Sequence, residues 1–494
     1  MTTCYPSTRK VFHMSARVCI IGAGSSGIAA AQVLHARGID FDCFELGSQV
    51  GGNWRYQNDN GMSSAYRSLH INTSRQLMEY RAYPMPEDLP DYPSHWQIAQ
   101  YFDDYVDHFG FRDKITFRTE VVKVEPLPTP PDGAAHGRYA VTLRSRNEHG
   151  EPSEPEVRVY EHVVVANGHH WDPRWPEPSF PGSETFPGEQ IHAHYYKTPD
   201  LFEGKRVVVL GIGNSATDIA VESSRVADET YLAMRRGAHI VPKYIFGVPT
   251  DHLTDSALAR GPLKVQQVSM AAMLRLTQGK VTDYGLPEPD HAVLHAHPTV
   301  SDDLLTRLGH GDITVKPNIE RFEGSKVFFV DGSAVEVDVV VYCTGYKVTF
   351  PFFDEKVVRA EDNHIDLYRR VVDPEHPGLF FVGLIQPLGA IMPLSEIQAE
   401  WVGDLVSGEG ELPSYDEMRA QIAEYDEEIR RRYVASKRHT IQVDFHKYFA
   451  EIERERRASK ARAQGRPVTR TARLRAGVRG GVRSLADTAR TLRS

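Results

Sequence analysis

The chain of 494 residues exceeds what one hydrophobic core usually holds, so we expect two domains, or one domain with a large insertion. Its 41% hydrophobic and 25% charged residues are ordinary for a globular protein and argue against a largely disordered chain. The formal charge is −9, and we expect no nucleic acid among the partners.

The cysteines and the apolar runs indicate the compartment. Cys4, Cys19, Cys43 and Cys343 form no CxxC or CxxxxC pair, which argues against a disulfide scaffold and a dithiol redox centre. The N-terminus lacks the apolar core of a secretion signal, and no apolar run approaches the roughly 18 to 20 residues that cross a membrane. We therefore predict a cytoplasmic protein. Residues 1–16 carry no pattern, and Met1 and Met14 are equal candidates for the start.

The first predicted element is a buried strand in RVCIIGAG, which runs into the glycine turn GAGSSG. IAAAQVLHARG, a good helix former, and the strand-like DFDCFELG follow, which is the order of a dinucleotide-binding unit. The glycines of such a turn allow a pyrophosphate to approach the free amides of the helix. The predicted contacts are Gly22, Gly24, Ser25, Ser26 and Gly27. Glu45 stands where an acid would bind ribose hydroxyls, and a plain turn with a solvated Glu45 is the alternative.

A second unit of the same kind begins with RVVVLGIG and continues through GIGNSA into TDIAVESSRVA and DETYLAMRRG. Its predicted nucleotide contacts are Gly211, Gly213, Asn214, Ser215 and Ala216. The strand after this turn ends in Arg235 and Arg236 instead of an acid, and a guanidinium matches the charge and shape of a 2′-phosphate. This site should therefore prefer NADP, with Arg235 as the main contact, unless both arginines only face solvent. Two such units predict FAD and NADPH as the cofactors.

The remaining segments give further elements. HVVVANG, VDVVVYCTG and LFFVG suit parallel strands that are buried on both faces. Residues 249–298 have helical pieces and read as an insertion, and Tyr415 to Arg457 read as surface helix. From residue 454 onward, thirteen Arg or Lys stand against Glu455 and Asp487. This tail is predicted to be solvated, or else to contact a membrane surface or a polyanion.

The segment FPGEQIHAHYYKTPD lies just before the second glycine turn. Its residues Phe186, Gly188, His192 and Tyr196 fit in full the pattern FxGxxxHxxx followed by Phe or Tyr, and in this the chain resembles the flavin-containing monooxygenases. Supporting matches follow in order: GAGSSG, VGGNW, SLHINTSRQLMEY, CTGY and GLIQPLGAIMP. The resemblance extends over residues 17 to about 408.

The resemblance implies an α/β fold with two Rossmann-like dinucleotide-binding domains, the second inserted in the first, plus a helical insertion and C-terminal helices. The FAD domain would comprise residues 1–170 and 330–445, and the NADPH domain residues 171–329 with the insertion at about 249–298. Residues 446–494 would form the basic tail. The FxGxxxHxxx motif would link the two domains, with His192 as a structural histidine.

Asn72 has two interpretations. Asn is among the best helix N-caps, and NTSRQLMEY would begin a helix. In the family the matching Asn points at the flavin and the nicotinamide, and the resemblance favours this catalytic role. Further cofactor contacts implied by the resemblance are Gly52, Trp54, Gly345 and Gln386. No metal ligand is predicted.

The implied reaction begins when NADPH reduces FAD, which then combines with O2 at C4a to give a hydroperoxide. Retained NADP+ and Asn72 would shield this species from water. Its distal oxygen would convert small soft nucleophiles, amines or sulfides, to N-oxides or S-oxides. The physiological substrate is not readable from the sequence, and a homodimer is compatible with it.

Three alternatives stay open. A Baeyer-Villiger enzyme, which converts ketones to esters, typically carries Trp at the last motif position followed by Pro or Asp, whereas this chain has Tyr196 and Lys197. A flavin disulfide reductase would need a redox-active cysteine pair. A non-catalytic binding protein would keep its nucleotide sites only as relics.

Overall fold

The structure is a computed structural model that describes residues 17–128, 137–254, 262–432 and 440–468. The elements up to residue 173 are β1 (Val18–Ile21), α1 (Ser25–Ala36), β2 (Phe41–Phe44), α2 (Arg75–Met78), α3 (His95–Phe109), β3 (Ile115–Thr116), β4 (Thr119–Pro126), β5 (Tyr139–Ser145), β6 (Glu156–Tyr160), β7 (His162–Val165) and β8 (Asp172–Pro173).

Those between residues 189 and 347 are β9 (Glu189–His192), β10 (Arg206–Leu210), α4 (Asn214–Ser223), β11 (Glu229–Ala233), β12 (Ile240–Val241), β13 (Tyr244–Ile245), β14 (Val248–Pro249), α5 (Thr250–Thr254), α6 (Leu263–Gln278), β15 (Thr299–Val300), α7 (Leu304–His310), β16 (Thr314–Lys316), β17 (Ile319–Glu323), β18 (Lys326–Phe329), β19 (Ala334–Glu336), β20 (Val339–Tyr342) and β21 (Tyr346–Lys347). The last are β22 (Leu379–Phe381), β23 (Gln386–Leu388), α8 (Met392–Val406), α9 (Tyr415–Arg432), β24 (Gln442–Asp444) and α10 (Phe445–Ala463).

A five-stranded parallel sheet in the order β22-β7-β1-β2-β3 forms the first unit. All four residues of β1 are buried, because both faces of the sheet are covered. Val18 and Ile20 face the core that α1, α3 and α8 share, and Cys19 and Ile21 face the antiparallel sheet β4-β5-β6. Strands that are apolar at every position suit such a layer, as predicted.

A second five-stranded parallel sheet, in the order β16-β11-β10-β20-β9, forms the second unit. Helices α4 and α7 cover one face, and the antiparallel strands β17, β18 and β19 pack against the other. In each unit the first strand, β1 or β10, is followed by its glycine turn, by a helix (α1 or α4) and by a second strand (β2 or β11), in the predicted order. The prediction of two Rossmann-like units is therefore confirmed.

The chain crosses between the two sheets at one place. β8 in the outgoing segment pairs antiparallel with β21 in the returning segment, and Arg174 N–H donates to Gly345 O at 2.9 Å. The second unit is thus inserted in the first, as predicted. The predicted return at residue 330 is too early, because β20 still pairs with β10 and β9, so the chain leaves the second sheet only after Tyr342.

The helical insertion lies between β12 and β15, which pair in parallel. It contains the hairpin β13–β14 and the helices α5 and α6, around a small core of Val241, Ile245, Met270, Leu274 and Val293. The predicted helices are present, although the insertion begins earlier than residue 249. Its two-residue strands are too short to leave an apolar run in the sequence. Residues 255–261 lie outside the described ranges.

Helix α8 is buried along nearly its whole length and packs between α1 and α10. The Asp404 carboxylate, fully buried, lies 2.8 Å from Arg37 and from Arg456, and 3.0 Å from Lys460. Three cations around one buried carboxylate satisfy the charge that burial would otherwise leave unpaired. This cluster ties both α1 and α10 to α8.

The C-terminal prediction needs two corrections. The predicted helical stretch from Tyr415 to Arg457 is two helices, α9 and α10, with β24 pairing to β23 between them. The basic tail predicted from residue 446 begins instead as α10, which buries Tyr448 and Ile452 against the first core. Residues 469–494 lie outside the described part. Across the described ranges, no helix combines the length and apolar character needed to cross a bilayer.

Candidate active site

The first glycine turn connects β1 to α1 and leaves the start of the helix open. Gly22 has a φ of +96°, and a Cβ added there would lie 2.8 Å from Ala166 O. Gly24 is the N-cap of α1, and no side chain in the described ranges caps it. The first amides of the helix, from Ser25 and Ser26, are therefore free to bind an anion such as a pyrophosphate.

The GGNW loop lies directly against this turn. A Cβ added to Gly52 would lie 3.0 Å from Gly24 Cα, and one added to Gly24 would lie 3.7 Å from Gly52 Cα. Gly51 N–H donates to Ala23 O at 3.0 Å, which fixes the approach of the two segments. Trp54 is half-buried and packs on the first core. The cradle is thus lined by bare backbone, which is what a phosphate group needs for close approach.

Glu45 follows β2 at the carboxyl edge of the first sheet and is buried. Its carboxylate accepts hydrogen bonds from Ala23 N–H and Gly47 N–H, each at 2.8 Å, and from the Asn60 amide at 3.2 Å. It therefore holds the backbone of the turn. A ribose hydroxyl would be a further donor, since each carboxylate oxygen can accept more than one hydrogen bond.

The second glycine turn has the same form. Gly211 has a φ of +143°, and an added Cβ would lie 2.9 Å from Cys343 O. Gly213 is the N-cap of α4, again without a capping side chain among the described residues. Ser215 is exposed and Ala216 is buried in the first turn of α4. This turn can therefore accept a second pyrophosphate.

Asn214 differs from its prediction in one respect. Its side-chain oxygen accepts a hydrogen bond from Val300 N–H at 2.8 Å, and the neighbouring Ile212 carbonyl accepts one from the Thr299 hydroxyl at 2.6 Å. The side chain thus fastens β15, the end of the helical insertion, to the turn. The backbone N–H of Asn214, in the first turn of α4, is left to face a nucleotide.

Arg235 and Arg236 lie side by side after β11, and both are exposed. The Arg236 guanidinium lies 3.5 Å from the Asp290 carboxylate. Arg235 forms no ion pair with any residue that the structure describes. Of the two, Arg235 is thus the guanidinium with its charge available.

Asn72 lies in the loop before α2, and the capping interpretation is wrong. The helix begins at Arg75 and its N-cap is Ser74, so Asn72 is two residues outside it. Asn72 is half-buried, and its amide makes no hydrogen bond within the described ranges. Its backbone is fixed nearby by Ile71 N–H, which donates to Pro93 O at 3.1 Å.

The first half of the FxGxxxHxxx motif packs inside the second unit. The Phe186 ring lies 5.3 Å from the Phe322 ring, edge to face, and belongs to the core under the second sheet. Gly188 is packed against Asp338 O, where a Cβ would overlap the carbonyl. Both residues thus pack beside β9 within the second unit.

The second half ends β9 and turns toward the first unit. His192 is fully buried, and its Nδ1 accepts a hydrogen bond from His194 N–H at 3.1 Å. Burial lowers the pKa of His192 to about 4, because the imidazolium is poorly solvated there, so the ring is neutral at pH 7. The Tyr196 hydroxyl donates to Glu222.

Lys197, which the sequence marked only as a departure from the Baeyer-Villiger pattern, joins the motif to the first unit. Its ammonium donates to Ser63 O at 2.8 Å, to Ala65 O at 3.1 Å and to His194 O at 3.2 Å. Burial lowers its pKa to about 8. In the described ranges its hydrogen-bond acceptors are all backbone carbonyls. The only feature of the sequence that could have indicated this role is the position of Lys197 directly after the motif.

Helix α4 also contacts the loop that precedes Asn72. Asp218 accepts a hydrogen bond from the Tyr66 hydroxyl, and Glu222 accepts one from the Ser68 hydroxyl. Burial raises the pKa of Asp218 to about 6. Their spacing of four residues places both carboxylates on one face of the helix, which was a usable signal in TDIAVE. Together with Lys197 they fix loop 63–68 to the second unit.

Two further predicted contacts, Gly345 and Gln386, lie in the returning chain. Gly345 sits between β20 and β21, where its carbonyl accepts from Arg174 N–H. Gln386 opens β23, is half-buried, and its N–H donates to Ile441 O at 2.8 Å. Nearer to the first turn is Gly383, which is packed against Ser26, and the Ser26 hydroxyl lies 3.0 Å from that of Ser395.

A chain with two open glycine turns and the FxGxxxHxxx segment between them matches a known family. A family model described as flavin-binding monooxygenase-like matches residues 15–460. The chain belongs to this family. It is accordingly an FAD-dependent monooxygenase, an oxidoreductase that uses FAD, NADPH and O2, and both glycine turns fit dinucleotides.

Relatives and solved structures agree with this flavin-binding monooxygenase assignment. The chain is 38% identical over 445 residues to flavin-containing monooxygenase 5 of Oryctolagus cuniculus, which covers 88% of this chain and 82% of the rabbit protein. It is 34% identical over 452 residues to the N-oxide-forming dimethylaniline monooxygenase 2 of Mus musculus, covering 90% and 83% of the two chains.

The solved S-allyl-L-cysteine S-oxygenase of Allium sativum superposes with a TM-score of 0.64 at 26% identity, covering 91% of this chain and 92% of that one. An open form of cyclohexanone monooxygenase gives a TM-score of 0.64 at 19% identity, covering 92% and 98%. At that identity the second likeness shows the shared fold alone.

Proposed function

We propose that the chain oxygenates soft nucleophiles, at an amine nitrogen or a sulfide sulfur, with NADPH and O2. The observation that carries this proposal is the pair of uncapped glycine turns in one chain. His192 in the linking motif is buried, and its lowered pKa makes it too weak a base to serve as a general base. Support for the substrate class comes from the N-oxide-forming relative and from the garlic S-oxygenase, whose names state those reactions.

The first turn would hold FAD. Amides of Ser25 and Ser26 would bind the pyrophosphate over Gly22, Gly24 and Gly27, with Gly52 opposite. Glu45 would receive a ribose hydroxyl, and Trp54, Gly345 and Gln386 would complete the flavin's surroundings. Bound FAD supplies the chemistry that moves electrons from NADPH to dioxygen. The free helix start and the bare-backbone cradle are what support this assignment.

The second turn would hold NADPH. Gly211, Gly213, Asn214, Ser215 and Ala216 would bind its pyrophosphate, and Arg235, with Arg236 beside it, would bind the 2′-phosphate. Asn72, whose side-chain amide is unpartnered within the described ranges, would donate to the oxygen-bearing group and exclude water from it. The contacts of Lys197, Asp218 and Glu222 would keep this loop against the second unit.

A direct comparison of a sulfide with a cyclic ketone tests the substrate class. We expect faster oxygen transfer to methyl phenyl sulfide than to cyclohexanone under saturating NADPH and O2, measured by product formation. Tyr196 and Lys197, which replace the Trp and the Pro or Asp typical of Baeyer-Villiger enzymes, support this order. Faster turnover of the ketone would contradict the proposal and favour ester formation.

Arg235→Ala is expected to narrow the preference for NADPH over NADH by about 1–3 kcal/mol, the worth of a charge-assisted contact to the 2′-phosphate. The ratio of kcat/KM for the two coenzymes measures it. Arg236→Ala is the matched control and should change this ratio less, because that guanidinium already lies beside Asp290. An equal loss with both coenzymes would show that Arg235 does not bind the 2′-phosphate.

We also propose a reducing, cytoplasmic setting, supported by the free thiols of Cys19, Cys43 and Cys343. A peripheral contact of the basic tail with an anionic surface is proposed from its charge alone. The expected homodimer is checked by light scattering, which should give twice the mass of one chain.

A further inference from the structure

The helical insertion contacts the loop that carries Asn72 through two adjacent side chains, those of Asp251 and His252. Ser74 N–H donates to the Asp251 carboxylate at 2.5 Å, and the Ser74 hydroxyl lies 2.9 Å from His252 Nε2. These contacts join residues that are 177 and 178 positions apart in the chain. Ser74 itself is fully buried, so both bonds are shielded from water.

Helix α2 depends on such outside contacts. It has one turn, Arg75–Met78, and a helix of this length is not stable by its own hydrogen bonds. The side chain of its N-cap, Ser74, makes no capping bond to the helix. The Asp251 carboxylate instead accepts from the N–H of the N-cap residue itself, at the end of the helix where a negative charge is favourable.

Asn72 is fixed only through its neighbours. Its own side chain has no hydrogen bond within the described ranges, so its position follows from its backbone. On one side Ile71 is anchored to Pro93, and on the other side Ser74 is anchored to Asp251 and His252. The second anchor comes from the insertion at Ser74, and one residue further on Arg75 N–H donates to Asp91 O at 2.8 Å.

Hydrogen bonds within the insertion, and one from Tyr92 of the first unit, fix the start of α5. The Thr250 hydroxyl donates to Pro242 O at 2.6 Å, and Thr250 N–H donates to Lys243 O at 2.8 Å. The Tyr92 hydroxyl also donates to Lys243 O, at 2.7 Å. These bonds orient the start of α5, so that Asp251 and His252 face Ser74.

We propose that Asp251 and His252 are positioning residues that hold Asn72 in its working place. The insertion thereby has a part in the reaction and is more than a covering of the second unit. This inference rests on the proposed function, in which Asn72 faces the oxygen-bearing group. Loss of the anchor should let water reach that group, so that electrons from NADPH leave as hydrogen peroxide.

The test uses the full-length holoenzyme with Asp251→Ala, Asp251→Asn and His252→Ala. Amide hydrogen exchange of residues 71–78 should speed up about tenfold in Asp251→Ala, and hydrogen peroxide released per NADPH oxidised should rise several-fold. FAD content and the rate of flavin reduction by NADPH should stay at wild-type values. Asp251→Asn keeps an acceptor oxygen for Ser74 N–H, so its hydrogen exchange and its peroxide release should stay close to the wild-type values.

Lys264→Ala removes an exposed charge from α6 of the same insertion and is the matched control, expected to change neither readout. Unchanged exchange in Asp251→Ala, or faster exchange with unchanged coupling, would overturn the positioning role. Should Asp251→Ala fail to fold, His252→Ala decides by the same two readouts: faster exchange with more peroxide is expected, and unchanged values would overturn the role. A wild-type protein that oxidises no NADPH would overturn the proposed function instead, while exchange would still decide whether Asp251 anchors Ser74.

Discussion

Gly24→Ala is expected to give a folded protein that binds FAD about 5- to 150-fold more weakly. The added methyl group would lie 3.7 Å from Gly52 Cα, an ordinary contact, so the polypeptide alone has room for it. A pyrophosphate on the turn would meet this methyl group in place of bare backbone, and overpacking of this kind costs about 1–3 kcal/mol of binding free energy. Flavin absorbance per chain and the FAD Kd of the apoprotein measure the loss, and Tm measures the fold.

Two other glycines serve as controls. Gly309→Ala in α7 would meet no atom closer than 3.9 Å and should keep its flavin, since it lies in the second unit. In Gly27→Ala the new Cβ would overlap Gly22 O, so this variant should lose the fold of the turn itself and have a lower Tm. An unchanged FAD Kd in Gly24→Ala would show that no phosphate lies on this turn.

Asn72→Ala is expected to keep FAD binding and reduction by NADPH but to lose roughly 100-fold in oxygenated product, the usual effect of removing one preorganised donor. NADPH consumption should continue and yield hydrogen peroxide. The helix start is at Ser74, so the substitution removes no cap and should leave the Tm unchanged. Product, peroxide and NADPH are measured together in one air-saturated assay.

Asn318→Ala is the matched control. Asn318 is also half-buried, its side chain also makes no hydrogen bond within the described ranges, and it lies in the second unit before β17. It should leave coupling at the wild-type level. Normal coupling in Asn72→Ala would remove Asn72 from the catalytic machinery.

Local pattern was sufficient to predict both Rossmann-like units. The all-apolar strands and the glycine turns are short-range signals, and each strand was found where the sequence placed it. The sheet to which a strand belongs is a long-range property, which is why Val339–Tyr342 was correctly predicted as a strand but assigned to the wrong side of a boundary at 330. Similarly, Asn72 and Ser74 both have cap-forming side chains, and only the backbone shows which one begins α2.

The candidate site was only half predictable for a related reason. The glycines and Arg235 could be predicted because the strand, turn and helix that define their roles are adjacent to them in the sequence. Lys197 acts through the carbonyls of Ser63 and Ala65, and Asp251 through Ser74, all across more than a hundred residues. Such partners have no spacing that a motif could record, and they become visible only once the chain is folded.

The β8–β21 ribbon has an evolutionary consequence. Because Arg174 N–H and Gly345 O lie 2.9 Å apart, everything between them departs from and rejoins the first unit at neighbouring points. A peptide link of a few residues could bridge that gap with little loss of chain entropy, since short closures between adjacent ends are inexpensive. The second unit could therefore have been gained by an ancestral flavin-binding protein, or exchanged between enzymes, without breaking a strand of the first unit.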